Sequence, residues 1–227
     1  MLVMARSPKV PGPGSKAPKA PKAPGPKPKA RKYHHGDLRR ALLDEAVRTI
    51  RDEGAPALTL RAVGARLGVS RTALYRHFAD KSALLNAVSE DGFRRLADEL
   101  ERAWTGAGGG LNGFEAQGRA YVRFALDNPS HYRVMFGVWS SRDEDTALRE
   151  AGARAFQVLV DALTALQRDG VVRQNEAPGQ VALYVWAAVH GVAMLAIDGR
   201  LPSGPGGVRD VIEYAVRRIG SGIFVDV

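Results

Sequence analysis

Apolar residues recur along most of this chain at intervals of three and four, the period of an α-helix with one face turned inward. Leu38, Leu42, Ala46 and Ile50 make the first such stripe, so a helix is predicted from an N-cap at Asp37 to about Glu53, where Gly54 and Pro56 stop it. In Thr59 to Lys81 the pattern shortens. Leu60, Val63 and Leu67 line one short helix, a tight Gly68-Val69-Ser70 turn follows, and Leu74 and Phe78 point inward from a second one. Thr59 and Ser70 are the predicted N-caps, and Gly68 can take the left-handed conformation that ends the first of the two.

Asp80 caps a third helix from Lys81 to about Trp104, with Leu84, Leu85, Val88, Phe93 and Leu96 inward. Gly106 to Gly113 reads as a flexible break. Helices are predicted next from about Phe114 to Leu126 and, behind the Asn128-Pro129 start signal, through Trp139. The charged run Arg142 to Glu150 opens a long helix to about Arg168, ended by Gly170. From Ala177 to Ile197 apolar residues run almost all round the helix, which requires burial on more than one side. Small residues there, Ala187, Ala188, Gly191 and Ala193, would let another helix come close. Val208 to Val225 is a last amphipathic helix carrying Val211, Ile212, Ala215 and Ile219. Two such helices per subunit can form a four-helix dimer interface, the alternative being the central core helix of a monomer. The expected fold is all-α, with residues 1–32 as an arm, 33–81 as a helix-turn-helix domain and 82–227 as a regulatory and dimerisation domain.

Charge alters this picture where it is unevenly spread. The net charge is +9, but residues 1–32 hold nine Lys and Arg and no acid, residues 33–81 nine against six, and residues 82–227 fifteen against eighteen. The arm's eight prolines in Lys-Ala-Pro-like units cannot bury a core, so disorder with polyproline character is expected. It reads equally as a solubilising tail or misassigned start and as a basic arm that tracks phosphates. Seven of the eight lysines lie in it, and the other is Lys81.

On the second short helix Arg71, Thr72, Tyr75 and Arg76 are left facing outward. Guanidinium groups and hydroxyls on one exposed helix suit a DNA major groove, and Lys81 places a cation at a helix N-terminus where a phosphate can lie. The bland alternative is a solvated helical hairpin. This stretch resembles the DNA-binding domain of the TetR family of bacterial transcriptional regulators, over Tyr33 to roughly Leu100 and most specifically in LYRHFADKSALLNAV, Leu74 to Val88. The resemblance implies phosphate contacts at Thr59, Tyr75, His77 and Lys81 and base reading at Arg61, Arg71 and Thr72. In the second half it narrows to Trp186, His190 and Gly191, similar to the family's WHG subgroup of C-terminal domains.

No catalytic constellation stands out. Gly108 to Gly110 precedes no Lys-Ser/Thr pair, so it is no phosphate loop, and there is no nucleophile elbow. Adjacent His34 and His35 cannot converge on one ion, and no cofactor is expected. The chain has no cysteine, which suits a reducing cytoplasm. No apolar run is expected to reach the roughly 18 residues of a membrane span, and the N-terminus lacks an apolar signal core. Tyr121, Phe124, Tyr132, Met135, Phe136, Trp139, Trp186, His190 and Met194 gather aromatics, thioethers and one imidazole in the second half, as an apolar ligand pocket requires.

The resulting expectation is a homodimeric, cytoplasmic repressor that binds a double-stranded DNA operator and is released by a small apolar or amphipathic effector. A nonspecific nucleoid-like DNA-binding protein and an enzyme are the alternatives.

Overall fold

The computed structural model describes residues 35–137, 145–202 and 206–224, so the arm of residues 1–32 lies outside the described residues. Among these, nine α-helices succeed one another: α1 (His35–Glu53), α2 (Leu60–Arg66), α3 (Arg71–Tyr75), α4 (Lys81–Gly106), α5 (Gly110–Asp127), α6 (Pro129–Phe136), α7 (Thr146–Arg168), α8 (Pro178–Ile197) and α9 (Gly207–Ile223). A single 3-10 turn at Ala55–Ala57 follows α1. Among the described residues the one extended pairing is an isolated bridge between Val172 and Phe224.

Local chemistry sets the boundaries of the head. Thr59 accepts from Ala62 N–H at 3.1 Å, Ser70 from Ala73 N–H at 3.2 Å and Asp80 from Ala83 N–H at 2.8 Å, so three successive helices each start on a side-chain cap. Gly68 at φ 66 makes the turn that reverses the chain between α2 and α3. Leu74 and Phe78 are both buried, but α3 ends at Tyr75, so Phe78 points inward from the turn beyond it. Helix α1 begins at His35, two residues before Asp37, the position from which the sequence predicted it to start.

Two cores result, and α4 serves both. Its first turns give Leu84, Leu85 and Val88 to a cluster with Leu42, Leu58, Val63 and Leu74, while Phe93, Leu96 and Leu100 join a larger cluster with α5 to α9. At 1.5 Å per residue this helix is about 39 Å long, a single lever between the two. Val134 of α6 is fully buried in the first cluster although its neighbour Met135 belongs to the second.

The glycine-rich stretch after α4 is not the flexible break it resembles in sequence. Only Ala107 to Gly109 separate α4 from α5, and the Trp104 ring lies against Gly109 and Gly113, where an added Cβ would come within 3.4 Å and 2.8 Å of it. Gly109 and Gly113 make room for that ring, Gly108 to Gly110 take the positive φ that turns the chain, and α5 starts four residues before Phe114. Helix α6 ends at Phe136; Trp139 lies outside the described residues.

Helix α8, apolar almost all round as its sequence predicts, is covered on one side only within the chain. Val181, Ala182, Val185, Val189, Ala193 and Ala196 are buried, but Leu183, Tyr184 and Leu195 are about half exposed within the chain. It is also long and apolar enough, by length and composition, to cross a membrane, contrary to the expectation that no run reaches that length. Its apolar second face is addressed below.

Candidate functional site

In the head, α3 presents Arg71 and Thr72 in its first turn, both exposed, with Tyr75 half exposed one turn on. Arg61 is exposed on α2. Thr59 spends its oxygen on the α2 cap, and His77 is partly buried in the turn after α3. Lys81 donates from Nζ to the carbonyl of Pro56 at 3.0 Å, which ties the start of α4 to the turn before α2.

Charge pairing separates two sets of arginines in this head. Arg39 pairs with Glu90, Arg40 with Asp44 and Asp91, Arg48 with Glu45, Arg51 with Asp52, and Arg66 with Glu45 and Glu53. Arg61 on α2, Arg71 at the start of α3 and Arg76 just after its end are exposed and have no acidic partner among the described residues. Exposed cations without an acidic partner are what a polyanion recognises. Arg76, absent from the contacts that the family resemblance implies, joins Arg61 and Arg71 on the same evidence.

In the second half, α4, α5, α7, α8 and α9 line a partly open cavity of about 330 Å³. Phe93 and Leu96 enter it from α4, Phe114, Gln117 and Tyr121 from α5, Phe156 from α7, Trp186 and Val189 from α8, and Ile219 from α9. Phe136 lines it at the end of α6. Of the residues expected there, Tyr121, Phe136 and Trp186 border the space. Phe124, Tyr132 and Met135 are fully buried in the surrounding core, while His190 and Met194 lie outside the lining.

His190 instead joins a polar knot behind that wall. Trp186 Nε1 donates to the Tyr121 hydroxyl at 2.8 Å, and the Tyr132 hydroxyl lies 3.0 Å from that of Tyr121 and 2.7 Å from His190 Nδ1. Burial, with the Tyr121 hydroxyl beside it, pushes the Tyr132 phenol up, so it remains a neutral donor. Helical spacing could not distinguish lining from backing, since both lie on inward faces. Gln117 was missed for the opposite reason: it is polar. The available signal was its place on the α5 inner stripe, three residues after Phe114 and four before Tyr121.

Helix α6 links cavity and head. His131 Nε2 lies 3.3 Å from Asp91 Oδ2 on α4, and Asp91 also accepts from Arg40 of α1 at 2.9 Å. Burial alone would raise the Asp91 carboxyl, but the His131 hydrogen bond and the Arg40 charge outweigh it and hold the group below its ordinary 3.8. A carboxyl depressed on folding adds stability above its unfolded pKa and loses it as pH falls through the folded one. Asp91→Asn should therefore lower the melting temperature at neutral pH, and the gap to wild type should close below about pH 4. A gap unchanged down to pH 3 would show that Asp91 contributes through shape alone.

Comparison with known proteins agrees over both halves. Residues 42–88 match the family described as bacterial regulatory proteins, tetR family, and residues 114–219 match the tetracyclin repressor-like C-terminal domain. An HTH-type transcriptional regulator of Mycobacterium tuberculosis is 33% identical over 92 residues, 40% of this chain and 39% of the relative, so the match spans well under half of that protein. An HTH-type transcriptional repressor of the same organism is 25% identical over 198 residues, 84% of this chain and 99% of the repressor. A Rhodococcus sp. RHA1 protein of unknown function has the same fold at TM-score 0.74, with 34% identity over 85% of this chain and 98% of its own.

Proposed function

The chain belongs to the TetR family of bacterial regulatory proteins, and from that membership we propose a homodimeric repressor that holds two heads on a DNA operator until an effector enters the cavity. The observation that carries the DNA-binding part is the set of unpaired arginines 61, 71 and 76 in a head whose other five arginines are all neutralised. Leaving cations unpaired gains nothing for the isolated fold. It keeps them available for phosphates and base edges.

Dimerisation is supported by α8 and α9. Leu183, Ala187, Gly191 and Leu195 form an exposed ridge at i, i+4 spacing, and an added Cβ at Gly191 would meet nothing within 4 Å. Tyr214 of α9 is exposed as well, at 62%. Ridges of this spacing interdigitate with a copy of themselves, and small residues at the centre allow close approach. The same packing would cover the apolar face that makes α8 long enough for a membrane. Through α4 the dimer sets the separation of the heads, which must be about 34–36 Å for successive major grooves.

An effector acts only if it prefers one separation to the other. Its volume would be transmitted through Phe136 at the cavity and Val134 in the head core, both on α6. The test is fluorescence anisotropy with DNA from upstream of the protein's own gene, alongside sedimentation. Leu183→Glu with Leu195→Glu should give a folded monomer whose binding to that DNA falls to its level on scrambled sequence. A double variant that stays dimeric, or a monomer that keeps sequence preference, would overturn the dimeric reading.

A further inference from the structure

The cavity wall is apolar except at a few points, and these are not equivalent. The Trp186 N–H is taken by Tyr121, whose hydroxyl also faces Tyr132 and His190. Arg149 is the one charged residue in the lining, and it is exposed; no carboxylate among the described residues lines the space. Gln117 is different. It is 4% exposed, its Nε2 donates a long 3.4 Å bond to the Leu100 carbonyl, and its Oε1 is buried with no hydrogen-bond partner among the described residues. A buried amide oxygen without a donor costs free energy, and folded chains rarely leave one in that state without a use.

Resting on the reading of this cavity as the effector site, we infer that it takes an uncharged apolar molecule carrying one hydroxyl or N–H donor, which bonds Gln117 Oε1 once the side chain, held by the long Leu100 bond, turns that oxygen out of the wall into the space. A cation would be desolvated against aromatic and aliphatic walls with no acidic partner, and an anion would find its only countercharge on the solvated Arg149. A neutral donor completes the amide and leaves the remaining surface to bury. The large fraction of ring and aliphatic lining calls for a compact aromatic or alicyclic body.

The experiment is calorimetric titration of the full chain with β-naphthol, its methyl isostere β-methylnaphthalene and β-naphthylmethylammonium. Each is repeated on Gln117→Met, which keeps volume and removes the acceptor. Comparing the ratio of naphthol to methylnaphthalene affinity between the two proteins cancels the probes' own hydration. That ratio should fall about tenfold in Gln117→Met, the worth of one hydrogen bond in a dry site, with the methylnaphthalene affinity retained. The ammonium probe should bind wild type at least about tenfold more weakly than β-naphthol. An unchanged ratio, or an ammonium probe as tight as the naphthol, overturns the inference.

Gly152→Phe, whose added Cβ meets only Phe93 at 4.0 Å, and the exposed Ala153→Trp serve as two independent blocks of the cavity. Loss of both naphthyl probes in either folded variant, together with an unchanged Gln117 ratio, keeps the cavity and discards the donor. Undiminished binding in both blocked variants discards the cavity itself.

Discussion

Arg71→Ala is expected to weaken operator binding by about 1–3 kcal/mol and to relax the choice of base, whereas Lys81→Met should weaken matched and scrambled DNA alike. The difference follows from where the two cations stand. Arg71 begins α3, exposed and without an acidic partner among the described residues, and the first residues of a recognition helix are those that reach base edges. A guanidinium there can bond guanine O6 and N7 together, a contact no other base offers in the same geometry. Lys81 begins α4, and its ammonium is already held by the Pro56 carbonyl at 3.0 Å. Two N–H donors remain on it, beside the free amides of a helix start, where a phosphate of any sequence fits.

Losing one phosphate contact should flatten the slope of log affinity against log salt by about one. The Pro56 bond adds a structural consequence for Lys81 alone, a small fall in melting temperature. Anisotropy titrations on matched and scrambled operators at several salt concentrations separate the two roles. Equal loss of specificity from both substitutions would show that Lys81 also reads sequence, or that Arg71 does not.

The head could be read from sequence because its structure is decided within a few residues. Thr59, Ser70 and Asp80 each bond the amide three positions on, and Gly68 needs only its own freedom to turn. The rest depends on partners distant in sequence. Glycines 109 and 113 look like slack until the Trp104 ring is laid against them. Tyr121 and Phe124 are three residues apart on one helix, yet the first borders the cavity and the second is sealed behind it, because a cavity exists where neighbouring helices fail to meet. Periodicity reports which residues face inward and not how far the opposite helix stands. The apolar circumference of α8 was legible, and with it two ways to cover it, a partner copy or a central place in one chain; that Leu183, Tyr184 and Leu195 stay open within the chain shows only once the other helices are packed.

The largest effect on stability is expected at the crossing of α4 and α6, where Gly92→Ala should destabilise the wild-type chain yet stabilise a chain that already carries Met135→Ala. An added Cβ at Gly92 would sit 2.5 Å from Met135 Sδ and 2.9 Å from its Cγ. Met135 is fully buried, so its flexible thioether can relieve the contact only by shifting against packed neighbours. Overpacking of this kind costs about 1–3 kcal/mol, against about 1 kcal/mol gained by replacing glycine with alanine in a helix. The clash therefore wins, by a small margin. Met135→Ala alone removes most of a core side chain and should cost about 2–5 kcal/mol, part of it for the void left behind. In that background the methyl introduced by Gly92→Ala enters the void, both the packing and the helix preference favour it, and the sign of the same substitution reverses.

Denaturant melts of the four proteins of this cycle measure the coupling directly. The crossing also lies on the route from cavity to head, since α4 starts at Lys81 and α6 carries Val134 in the head core. Separating the two helices with Gly92→Ala should thus lower effector-free operator affinity while the protein remains folded, as an occupied cavity would. Additive stabilities with unchanged DNA binding would mean that the helices yield locally at this contact, and that volume introduced beside α6 is not passed on to the head.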